Sequence, residues 1–123
     1  MTRAIRFHKT GAPEVLVWEE LQVGKPGPGE ARIRHTAVGL NFVDIYYRSG
    51  LYPVPLPSGL GGEGAGVVLE MGSGVTGLKP GDRVAYGAAP LGAYAEERLI
   101  PADRLLKLPD GIDDKTAAAM MLK

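Results

Sequence analysis

ARIRHTAVGLNFVDIYYRSGLYP, residues 31–53, holds in one run three local patterns that recur along the chain. At its start Ala31 and Ile33 alternate with Arg32 and Arg34, as in a strand with one face in the core and one in water, and a strand is expected from Ala31 to Val38. Alternation fails between Val43 and Ser49, where bulky and polar residues are neighbours and Asp44 and Arg48 stand four apart, the spacing of a helix-surface ion pair. A short helix ended by Gly50 is predicted there. From Leu51 to Leu60 prolines recur at 53, 55 and 57, each fixing φ and removing a donor, so this segment must be an extended loop. Such a loop can shape the rim of a site.

Towards the N-terminus, Arg3–His8 and Val15–Leu21 read as strands joined through a turn at Gly11-Ala12-Pro13, so the chain opens like a hairpin; Gly24–Glu30 is then a loop. Towards the C-terminus, Gly66–Met71 is a buried strand, and Lys79-Pro80-Gly81-Asp82 offers proline and glycine at the two centres of a type II turn. Arg83–Tyr86, Ala93–Ile100 and Arg104–Leu108 supply further short strands, six or seven in all. Eighteen glycines and ten prolines punctuate the chain as in an all-β domain, so the expected class is mainly β with short helices, as a barrel or sandwich. Asp113 or Asp114 can cap a closing helix through Leu122. That helix has an apolar face and nothing behind it to pack on, so a truncation at Lys123 is expected.

Composition narrows the function. A chain of 123 residues fits one domain, and 45% hydrophobic with 23% charged residues is ordinary for a globular protein. The 14 basic and 14 acidic residues cancel and form no block, which argues against nucleic acid and anionic membrane as partners. Without cysteine there is no disulfide, thiolate nucleophile or cysteine-based metal site. His8 and His35 stand singly in alternating stretches and read as plain strand residues. The start, Met1–Phe7, lacks the apolar region of a signal peptide, and a cytoplasmic location is expected.

Two stretches satisfy G-x-G-x-x-G, at Gly59, Gly61 and Gly64 and at Gly72, Gly74 and Gly77. Dinucleotide binding requires a strand before such glycines and a helix after them. The first match leads into a strand, and Pro80 and Gly81 forbid a helix after the second, so both read as turns. Glu63 is the only charge between Leu51 and Val68, and pairing with Arg48 is expected over a role as a base. Tyr46, Tyr47 and Tyr52 lie close to Asn41 and Phe42. They are either a packed aromatic cluster or flat walls for a planar ring, with Asn41 able to donate and accept beside them.

The run Val38–Pro53, followed by PSGLGGEGAG at 57–66 and KPGDRV at 79–84, resembles the zinc-free quinone oxidoreductases of the medium-chain dehydrogenase/reductase superfamily, the group that includes zeta-crystallin. The likeness covers essentially the whole chain. It implies a GroES-like β-barrel on the substrate side, with residues 1–123 ending at the helix that would lead into a missing Rossmann domain. Zinc enzymes of the superfamily carry a cysteine where this chain has Asn41 and a histidine where it has Gly62, so the resemblance implies hydride transfer without a metal. It further implies NADPH as cofactor in a full-length form, its nicotinamide against Asn41 and Tyr46. Asn41, Tyr46 and Tyr52 would line the pocket for a quinone or other unsaturated carbonyl, with Asp44, Arg48 and Glu63 in support and no residue assigned as proton donor. A full-length homodimer is expected, and the chain by itself is expected to be inactive. The alternatives are an enoyl-type reductase of the same superfamily, a GroES-like co-chaperonin, and a structural fragment without activity.

Overall fold

The computed structural model describes residues 2–120, in eight strands and two α-helices. Strand β1 (Thr2–Phe7) pairs antiparallel with β2 (Leu16–Leu21), joined by a 3-10 turn at Pro13–Val15. β3 (Glu30–Val38) is followed by helix α1 (Phe42–Ser49) and the two-residue strand β4 (Ser58–Gly59). β5 (Gly64–Met71), β6 (Arg83–Tyr86), β7 (Glu97–Pro101) and β8 (Leu106–Lys107) complete the sheets, and helix α2 (Asp114–Met120) closes the described chain. The order is β2-β1-β4 in one sheet and β7-β3-β5-β6-β8 in the other, all antiparallel. The hairpin, the long third strand, the glycine-ended helix and the turn at Lys79–Asp82 all form as the local patterns predict, with Gly81 at φ 93°.

Alternation sets the core. Ala31 and Ile33 face inward from β3 and meet Val68, Val84, Tyr86 and Ile100, while Arg32 and Arg34 face outward. A second cluster, Ala65, Ala85 and Leu108 with Ala117 and Ala118, seats α2 on the opposite face of the sheet. Asp113 caps that helix by accepting from the Thr116 N–H at 2.7 Å, and Arg83 holds the next residue, Asp114, through Nε and Nη2 at 3.1 and 2.7 Å. The expected extension of this helix through Leu122 lies outside the described residues.

Three expectations change. The strand read at Ala93–Ile100 is shorter and begins only at Glu97, and the one read at Arg104–Leu108 is reduced to Leu106–Lys107, with Arg104 in a 3-10 turn at Ala102–Arg104. Residues 92–95 instead cross between the sheets: the Gly92 and Ala93 N–H groups both donate to Gly61 O, Tyr94 N–H donates to Leu60 O, and Ile5 N–H donates to Tyr94 O. Their backbone groups are satisfied without a regular ladder. Second, the last part of the proline-rich loop, Ser58–Gly59, pairs with β1. Third, no ion pair joins Asp44 to Arg48: Asp44 turns inward onto other donors, and Arg48 Nε donates to Gly11 O at 3.2 Å, tying α1 to the hairpin loop. His8 lies one residue past β1, hydrogen-bonded to Glu19.

Candidate functional site

Helix α1 inverts the usual amphipathic arrangement. Phe42, Ile45 and Tyr46 are exposed, Phe42 at 78%, and Leu40 just before the helix is 81% exposed, whereas the charged Asp44 is buried at 2%. A short helix that shows water its apolar side presents a binding face. Tyr46 and Tyr52 touch edge to face with ring centroids 5.4 Å apart, Tyr47 and Tyr52 likewise at 5.6 Å, and the Tyr52 N–H donates to Tyr46 O. The tyrosines therefore do form a cluster, with Tyr46 and Tyr52 exposed. The hollow beside Asn41, about 220 Å³, is lined by Leu40, Asn41, Phe42 and Ile45, and the tyrosines do not line it.

Asn41 sits at the foot of α1 in extended conformation and is held twice. Its main-chain N–H donates to Asp44 Oδ2 at 3.1 Å, which closes the first turn of the helix, and its side-chain Nδ2 donates to Glu63 Oε1 at 2.9 Å. Glu63, 1% exposed, is thus engaged with Asn41, and the expected pair with Arg48 does not form. The reason is distance along the fold: Arg48 is drawn to the hairpin loop, while Glu63 leans over Gly39, where an added Cβ would lie 2.5 Å from Oε1. Asp44 Oδ2 also accepts from the Tyr94 hydroxyl at 2.6 Å. Burial, and then this carboxylate, push the Tyr94 phenol above its usual range, so it stays protonated. Tyr94 carries no sequence signal of its own: it lies in a stretch that reads as a strand, and its partner is fifty positions away.

A second polar cluster lies inside the barrel. His35 Nδ1 is 2.8 Å from Ala95 O and Nε2 is 2.7 Å from the Tyr86 hydroxyl. A carbonyl only accepts, so Nδ1 carries the proton; in the neutral ring Nε2 then accepts from Tyr86. Arg98 donates to the Tyr86 oxygen and to Pro90 O, with its guanidinium over the Tyr86 ring. Burial lowers the His35 pKa to about 4, against the Ala95 bond that raises it, and Arg98 adds to the lowering. His35 is a satisfied strand residue, as its sequence context suggested.

Both glycine stretches are turns or strand edges, with Gly61, Gly74 and Gly77 at positive φ, and no helix follows either of them. Their glycines offer no helix N-terminus for a pyrophosphate. Among the described residues no three His, Cys, Asp or Glu side chains converge as metal ligands, and positions 41 and 62 offer an amide and no side chain. No helix among the described residues is long and apolar enough to cross a membrane.

Residues 27–110 match the alcohol dehydrogenase GroES-like domain. Across the whole chain, 57% of residues are identical to a quinone oxidoreductase of Pseudomonas aeruginosa, of whose length the chain spans 38%. A 2-haloacrylate reductase of a Burkholderia species is 48% identical over the full chain, which covers 39% of it. In three dimensions, an Escherichia coli quinone oxidoreductase complexed with NADPH superposes with a TM-score of 0.94 at 48% identity, over 97% of this chain and 37% of that one.

Proposed function

The chain belongs to the alcohol dehydrogenase GroES-like domain family, and from that premise we propose that it is the substrate-side domain of an NADPH-dependent quinone oxidoreductase. The observation that carries the reading is the inverted face of α1, an apolar surface around the doubly held amide of Asn41. Support comes from full-length similarity of this chain to quinone oxidoreductases and from the NADPH bound in one of them. The chain spans 38% of its relative's length, and the reading places nucleotide binding in a further domain.

The residues present fit one end of NADPH. Asn41 has an amide at the edge of an apolar hollow, suited to the nicotinamide, while the glycine stretches do not fit the pyrophosphate. NADPH when bound supplies the hydride. Asn41 orients through its amide, Leu40, Phe42 and Ile45 keep water from the reacting face, and Tyr46 and Tyr52 bound the approach of a planar quinone, each with a hydroxyl able to donate to an oxygen that gains charge. Asp44 and Glu63 hold Asn41, and Arg48 holds the helix.

The 2-haloacrylate reductase relative favours a second reading, reduction of an activated carbon–carbon double bond. A form of the protein extended to its relatives' length separates the two. NADPH oxidation with quinones and none with enoyl thioesters or 2-haloacrylate is expected, and the opposite pattern would establish the second. In the same form Tyr52→Phe keeps the ring and is expected to lose roughly tenfold at most, with Tyr52→Ala losing more. Equal and severe losses would make Tyr52 a proton donor.

A further inference from the structure

We infer that Tyr94 is a positioning residue of the Asn41 site, acting through the carboxylate of Asp44; what the site does rests on the function proposed above. The Tyr94 hydroxyl and the Asn41 main-chain N–H meet at one atom, Asp44 Oδ2, at 2.6 and 3.1 Å. Asp44 is buried, and its other oxygen has no hydrogen-bond partner among the described residues, so Oδ2 carries the hold on the foot of α1. The bond from Tyr94 is short and charge-assisted, the stronger kind.

The ring that delivers this bond is itself fixed by the sheets. Gly61, at φ 93°, leaves bare backbone beneath it: an added Cβ would lie 2.6 Å from Tyr94 Cδ1. The Tyr94 N–H donates to Leu60 O, and its carbonyl accepts from Ile5 N–H at 2.7 Å, so the residue is tied to the glycine stretch and to β1 together. At the far end of the chain of bonds, Gly39 clears space for Glu63, which accepts from the Asn41 side chain. Asn41 therefore stands between two anchors, and only the one through Asp44 fixes its main chain. Hydride transfer needs groups placed within a fraction of an ångström, so a slackened anchor disturbs the reaction without removing any group that touches the reactants.

The test reads Asn41 directly. In the isotope-labelled chain, Tyr94→Phe is expected to shift the Asn41 side-chain amide pair and the Asn41 main-chain amide, and to speed exchange of the latter roughly tenfold. His35 and Tyr86 should stay in place. Unmoved Asn41 signals overturn the inference. Asp82→Ala, which removes the bonds holding the Lys79–Asp82 turn outside the core on which Tyr94 packs, is expected to leave Asn41 unchanged; an equal movement there would reduce Tyr94 to general stability and overturn it too. Should Tyr94→Phe fail to fold, the unsubstituted chain decides: a slowly exchanging Tyr94 hydroxyl proton in contact with Asp44 supports the inference, and a freely exchanging one refutes it. In the extended form, kcat should fall roughly tenfold with KM for the quinone within about twofold, and unchanged kinetics count against the inference. Absence of NADPH turnover in the unsubstituted extended form would defeat the functional reading, while the signals of Asn41 would still judge Tyr94 by themselves.

Discussion

Two clusters of buried polar groups in the chain are built on opposite charges. Beside α1 the buried ionisable groups are acids, Asp44 and Glu63, and both spend acceptor capacity on Asn41. Inside the barrel the buried charge is the guanidinium of Arg98, and its partners are a phenol and two carbonyls, with a neutral imidazole next in line. The barrel cluster closes on itself: each group satisfies another, and the result is a fixed core. The cluster beside α1 converges on a residue at the edge of a hollow. Buried polar groups can thus serve rigidity in one region and orientation in the other, and the difference lies in whether the last group in the chain of bonds faces protein or solvent.

The sharpest way to break this comparison is Gly61→Ala. The new methyl would meet the Tyr94 ring at 2.6 Å in a backbone conformation with φ 93°, so the cluster beside α1 loses its anchor. Overpacking and the left-handed backbone together are expected to cost about 3 kcal/mol, measured by urea unfolding. A loss below about 1 kcal/mol would mean that the ring has room to move and that the anchor is soft.

Acid tests the barrel cluster. His35 is held neutral with a pKa of about 4, against an ordinary 6.5 in the unfolded chain, so acid favours unfolding. The contribution of His35 should be constant above pH 6.5, fall as the unfolded chain takes up its proton, and level off below about pH 4, a total of about 3 kcal/mol. His35→Gln should flatten that window. Asp82, Asp113 and Asp114 have pKa values lowered from 3.8 by, first, the hydrogen bonds to Lys79, Thr116 and Arg83, so their contributions disappear only as pH falls further. A flat profile between pH 7 and 5 would mean that the barrel cluster accepts a proton without cost.

The smallest effect is expected one residue from the largest. Gly62 has only Ala89 O near an added Cβ, at 3.6 Å, and no positive φ. Gly62→Ala should change stability by about 0.5 kcal/mol or less in the same unfolding experiment. If it matched Gly61→Ala, the whole glycine stretch rather than the seat of Tyr94 would be the rigid element.

Local pattern made much of the architecture legible. The period-two run of β3, the helix ended by Gly50 and the Lys79–Asp82 turn depend on neighbours in sequence, and each formed where the residues indicated. Asn41, Tyr46 and Tyr52 stood out as site candidates through a family motif. Their supporting residues were harder to read: Asp44 with Arg48, and Glu63 with Arg48, were sensible electrostatic matches by spacing and charge, yet neither pair forms. Burial decided otherwise, because a carboxylate inside the fold takes whatever donor the packing brings.

By itself, the sequence determined most of the strands, where the chain must turn, the absence of thiol groups in the chain, and the family to which the motifs belong. These follow from side-chain period, the conformational habits of glycine and proline, and the residue types present. Tertiary structure alone decided that residues 92–95 cross between sheets, that Tyr94 meets Asp44, and that burial, with Arg98, holds His35 neutral between Tyr86 and Ala95. Those contacts join positions some thirty or more apart, and hydrogen-bond partners at such separations are chosen by the closing of the sheets, which no local pattern records.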